Sequence, residues 1–139
     1  MSPKHQRVEA LLAPFSGRDR NAHFSAYLEL FNRQRFYEAH DALEALWLQE
    51  RHGPEGEFQK GLIQLAGAFV HVQKNRRGPA RALFQLARHR LAQYPATHAG
   101  LDVSAALALV EEWLRRIESD EPLPHLLAAA PPRLERRVE

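Results

Sequence analysis

The segment Glu57–Gln73 is apolar around most of a helical circumference, and this limits the folds open to the chain. Phe58, Leu62, Ile63, Leu65, Ala66, Ala68, Phe69, Val70 and Val72 leave one narrow polar stripe of Lys60, Gln64 and His71, with Glu57 beside it. A helix this apolar needs other helices around it, so it reads as the centre of a bundle. Its neighbours show the same period. Phe24, Tyr27, Leu28 and Phe31 predict a first helix ending near Asn32. Tyr37–Glu50 predicts a second and Pro79–Gln93 a fourth, with Pro79 in its first turn. Asp102 or Ser104 can cap a fifth, apolar at Leu107, Val110, Leu114 and Ile117. No segment alternates at the period of a strand. The expectation is an all-α, single compact multi-helix bundle of about five helices, with the second and third as its core hairpin.

Three regions follow. Residues 1–20 show little periodicity beyond Val8, Leu11 and Leu12 and are expected to be loosely ordered. Residues 21–118 make the bundle. Residues 119–139 carry Pro122, Pro124, Pro131 and Pro132 and read as a Pro-rich C-terminal tail, mostly extended. A chain of 139 residues suits one domain. With no cysteine, disulfides and thiolate metal sites are excluded and a cytoplasmic location is expected. No apolar run reaches the roughly 18 residues of a membrane span, and the start, Met1-Ser-Pro-Lys-His-Gln-Arg7, lacks the core of an export signal.

Within the second helix, His40, Glu44 and Trp47 project within about 60° of one another at 100° per residue. Apolar residues flank them: the inner face is read as Phe36, Tyr37, His40, Leu43, Glu44, Leu46, Trp47 and Leu48, the outer as Glu38, Asp41, Ala42, Ala45 and Gln49. A buried His and Glu are costly unless they pair, bind something or do chemistry. Two readings compete. In one, Glu44 accepts from His40, the Trp47 indole finds an acceptor, and the network fixes helix docking. In the other, His40 and Glu44 offer an imidazole and a carboxylate to a divalent metal, with His71 and Gln64 added from the third helix. Glu44 could equally orient His40 as a general base, making His40 and Glu44 the candidate catalytic pair. The candidate pocket is therefore His40, Glu44, Trp47, Lys60, Gln64 and His71. The spacing lacks the H-E-x-x-H of a zinc hydrolase.

Net charge is only +2, which neither demands nor forbids nucleic acid. Between Lys74 and Arg90 there are six Lys/Arg and no acid, and Arg77, Arg81 and Arg88 share a face. That face could track a phosphate backbone, or it could pair with the acidic second helix. The turn Asn75-Arg-Arg-Gly78 precedes a helix N-terminus, where anions are well received, but one glycine makes no phosphate loop.

Phe31-Asn32, Phe36-x-Glu-Ala-His40-x3-Glu44-x2-Trp47, Gly61-Leu-Ile-Gln-Leu-Ala66, His71, Asn75-x2-Gly78, Tyr94-Pro95 and Gly100-Leu-Asp102 occur in that order. In these motifs the chain resembles the bacterial and archaeal family called domain of unknown function family 309. The resemblance implies an all-helical fold and supplies no activity, substrate or cofactor. It also marks Lys60 and Lys74 as departures, where members of the family carry Gln and Gly. Together these readings describe a small helical module that binds a protein or small ligand, with a buried His-Glu-Trp cluster that is structural or lines a pocket. The alternatives are a metal-assisted or acid–base enzyme and a nucleic-acid accessory protein. A homodimer is compatible with any of them.

Overall fold

Phe69, on the central helix, is fully buried, and four other rings close on it. Phe36 stacks against it at 5.1 Å between centroids, while Phe31, Phe84 and Trp113 present edges at 5.6, 5.0 and 5.2 Å. Offset and edge-on pairs of this kind add to the area they bury. These rings come from four different helices, so one residue of the apolar segment sits at the crossing point of the bundle.

The computed structural model describes residues 3–15 and 22–137. Residues 1, 2, 16–21, 138 and 139 lie outside the description, and with them those parts of the expected N-terminal segment, bundle start and tail. Helix α1 is Pro3–Leu12, followed by a 3-10 turn at Ala13–Phe15. Then come α2 (Ala22–Asn32), α3 (Phe36–Glu50), α4 (Gly56–Gln73) and α5 (Arg77–Leu91). A hairpin of two-residue strands, β1 (Thr97–His98) and β2 (Leu101–Asp102), leads to α6 (Val103–Arg116) and α7 (Leu123–Ala129). The all-α expectation holds in outline, but seven helices stand among the described residues where about five were expected. The connector before α6 also carries a strand pair that the sequence pattern did not show. Its turn residues Ala99 and Gly100 both have positive φ, as a two-residue type I′ hairpin loop requires.

Of the two additional helices, α1 lies in the segment read as loosely ordered and α7 in the Pro-rich tail, around Leu126. Helix α1 packs on α3 and buries Val8. Helix α7 buries Leu123 and Leu127, and beyond it Leu134 is buried too. The tail is held through its backbone: Asn32 Nδ2 donates to the Leu134 carbonyl at 3.0 Å, and its Oδ1 accepts from Leu134 N at 2.8 Å. Asp102 N donates to Glu135 O at 3.0 Å, and Arg137 N to Gly100 O at 2.8 Å. Three motif residues are thereby explained as tethers. Asn32 grips the tail, Asn75 Oδ1 accepts from Leu123 N at the start of α7, and Asp102 Oδ1 caps α6 through Ala105 N. Asn75 also takes the left-handed turn conformation at φ 56°.

Helices α4 and α5 approach closely because Gly61 faces the neighbour. A Cβ there would lie 3.1 Å from Leu91 side-chain carbons and 3.2 Å from Arg90 Cβ. At Gly78, by contrast, a Cβ would meet nothing within 4 Å. Gly61→Val is expected to lower unfolding free energy by about 1–3 kcal/mol in urea denaturation. Gly78→Ala should be neutral or stabilising by up to about 1 kcal/mol. Equal effects of the two would contradict the close approach.

Candidate ligand site between α1 and α3

Asp41 is the organising residue of this face. Its side chain is only 2% exposed, although the sequence placed it on the outer face of its helix. The correction has a plain cause: α1 covers that side of α3 and brings cations to it. Arg7 Nη2 donates to Asp41 Oδ2 at 2.8 Å. Lys4 Nζ donates to Glu44 Oε1 at 2.5 Å and lies 3.7 Å from Asp41 Oδ1. His40 Nδ1–H donates to Asp41 Oδ1 at 3.3 Å, and its Nε2 is 3.8 Å from Glu44 Oε2. The hydrogen bond to Glu44 raises the Lys4 pKa above 10.5, against a smaller opposing effect of burial, with Asp41 and Tyr37 adding to the rise.

The pairing of His40 with Glu44 is thus looser than expected, and both are half-buried rather than buried. Trp47 is also half-buried, and Leu48 is 55% exposed. Of the face read as inner, Phe36 and Leu43 are buried, whereas Tyr37 and Leu48 are exposed. Trp47 is met by Lys60, whose Nζ lies 4.3 Å from the ring centroid, a cation–π contact joining α4 to α3.

The rest of the α4 stripe does not complete the cluster. Gln64 Oε1 accepts from Arg90 Nη1 at 3.3 Å, and Arg90 Nε donates to Glu57 at 3.0 Å, so this part of the stripe meets α5. Among the described residues, the group of His, Asp and Glu side chains close enough to share a metal ion is His40, Asp41 and Glu44, within 4.8 Å of one another. The expected partners His71 and Gln64 are replaced there by Asp41. These donors suit a divalent metal. Lys4 and Arg7 already hold both carboxylates, so an ion would have to displace them.

The basic face of α5 is likewise taken up within the chain. Arg77 donates to the carbonyls of Ile117 and Glu121, Arg81 to Glu118 at 3.1 Å, and Arg88 to Glu111 at 3.0 Å. The partner is α6 and the turn after it, not the acidic second helix that the sequence suggested. Arg81 and Arg88 remain 37% and 44% exposed in these pairs.

Alongside the charged cluster, α1 and α3 enclose a half-open cavity of about 520 Å³. Val8 and Leu12 form one apolar wall, Ala45 and Leu48 the other, and Lys4 and Glu44 border it. His23 also reaches it. The His23 Nδ1–H donates to the Ala42 carbonyl at 2.9 Å, which fixes the ring orientation. Sequence reasoning missed Lys4, Arg7, His23 and Asp41. A signal did exist for α1: Pro3 suits a first helical position, and Val8, Leu11 and Leu12 share a face.

Residues 24–83 match the family model of the domain of unknown function DUF309. The matched segment runs from α2 into α5 and holds His40, Asp41, Glu44, Trp47, Lys60, Gln64 and His71. Helix α1, with Lys4 and Arg7, lies before it, and α6 and α7 lie after it. No curated protein matches the chain.

His71 supplies a pH test of the assignments on α4. Its Nδ1 is buried without a partner. Its pKa lies below 6.5, first from burial and then from the charges of Arg76 and Lys74. A base whose folded pKa is depressed takes up protons more readily when unfolded, so its stabilising effect is present above pH 6.5 and is lost as pH falls below it. Between pH 7.5 and 5.5, Tm should fall more in the parent than in His71→Asn. Parallel pH profiles would contradict this.

Proposed function

We propose that the chain is a non-catalytic helical module that binds a small amphipathic ligand in the cavity between α1 and α3. The observation that carries this reading is the cavity itself, with its apolar Val8, Leu12, Ala45 and Leu48 walls beside the Lys4–Glu44 pair. Small-molecule sites have this character: mainly apolar, several hundred Å³, with few polar groups to orient the ligand. On this reading the His40–Asp41–Glu44 cluster is the floor that holds α1 in place, and Trp47 with Lys60 braces α3 against α4.

Metal-assisted chemistry is the second reading, favoured by the three donors within 4.8 Å. It requires α1's two cations to leave Asp41 and Glu44. The first reading leaves Arg7 on Asp41, so α1 stays docked.

The test is an NMR titration with 1-heptanol, a neutral amphiphile of suitable size. The amides of residues 4–12 and 44–49 should shift, and Ala45→Trp should abolish the response by filling the cavity while preserving the helical circular dichroism spectrum. No response in the parent, or the same response in Ala45→Trp, would contradict the reading.

A further inference from the structure

The polar rim of this cavity carries a record of the head group it accepts. Lys4 places a primary ammonium 2.5 Å from Glu44 Oε1 and 3.7 Å from Asp41 Oδ1. That ammonium arrives on an aliphatic stem tethered to α1, and the space beside Val8, Leu12, Ala45 and Leu48 stays open with the stem in place. Two carboxylates, Glu9 and Glu44, border the cavity against the single lysine, and His5 pairs with Glu9 at 2.9 Å. Beneath them Asp41 is held by Arg7. A ligand carboxylate would meet like charge at this rim, whereas an ammonium would find the acceptors that Lys4 now uses.

We propose that the ligand is a free aliphatic primary amine, whose ammonium displaces that of Lys4 on Glu44 and Asp41 and whose hydrocarbon chain lies along Val8, Leu12, Ala45 and Leu48. This rests on the cavity reading above and names the ligand's chemical class. The exchange conserves charge: one ammonium leaves the carboxylates as another arrives, so no bare charge is buried. The displaced Lys4 is already 49% exposed and passes into solvent, where it regains hydration. The net driving force is the hydrocarbon, which Lys4 cannot supply to those walls. Lys4 in this view is a tethered competitor at the amine's own site.

The experiment compares heptylamine, 1-heptanol and heptanoate by NMR or calorimetric titration of the full chain. In Lys4→Ala, where no lysine competes, heptylamine should bind at least about tenfold more tightly than heptanol, and in the parent heptanoate should bind more weakly than heptanol. Removing the competitor should tighten heptylamine binding relative to the parent more than it changes heptanol binding. Adding Glu44→Gln to Lys4→Ala should bring heptylamine down to the heptanol value. If heptanol binds Lys4→Ala and heptylamine binds it no more tightly, the cavity stands and the amine assignment is overturned. If none of the three binds, the cavity reading falls with it. If Glu44→Gln does not fold, the Lys4→Ala comparison decides alone: unchanged or weaker heptylamine binding overturns the proposal.

Discussion

Burying a carboxylate is costly unless charge and hydrogen bonds are supplied to it, and Asp41, 2% exposed, imposes that requirement on α3. The supply comes from α1. Arg7 and Lys4 lie three residues apart on one face of that helix, so both reach the same stretch of α3. Once they are engaged, Val8 and Leu12 are brought opposite Ala45 and Leu48, and the cavity follows. The charged cluster and the apolar space are therefore one construction. The polar contacts fix where α1 lies, and the apolar residues between the two helices are left incompletely filled.

This face stands on a rigid support. Phe36, at the start of α3, stacks on Phe69 of α4, and Phe31 presents its edge to both rings. Tyr27 donates to the Leu62 carbonyl at 2.6 Å, pinning α2 to α4 within the core. Helix α3 thus presents one side to the aromatic core and the other to α1. His40, Asp41 and Glu44 lie on the second side. The C-terminal elements are held through Asn32, Asn75 and Asp102 and do not line the cavity.

Much of the architecture was legible because helical periodicity is strong where burial is deep. The apolar circumference of residues 57–73 announces the central helix, and the ends of α2, α3 and α4 follow from turn residues at 33–35, 53–56 and 74–76. What the sequence concealed were elements whose stability depends on partners. Helix α1 buries one residue fully, Val8, too few for periodicity to reveal, and its docking relies on ion pairs with residues over thirty positions away. The tail docks by backbone hydrogen bonds to Asn32 and Gly100, which side-chain patterning cannot report.

The surroundings of α3 were hidden for the same reason. With α1 absent from the prediction, the side of α3 bearing Asp41 looked like solvent, and the apolar count placed Leu48 and Trp47 inwards. The donor atoms of His40 and Glu44 lie close to those of Asp41, which periodicity assigned to the opposite face. The arginines of α5 misled for a related reason. Charges spaced along a helix say nothing of which acidic helix will lie against them, and here α6 does.

The most direct measurement is amide hydrogen exchange across the chain, comparing the parent with Asp41→Asn. If the buried carboxylate holds α1 in place, residues 7–12 are protected in the parent and lose that protection in the variant, while α4 remains protected in both. Equal protection of α1 in the two proteins would contradict the account, because α1 would then be held by something other than Asp41.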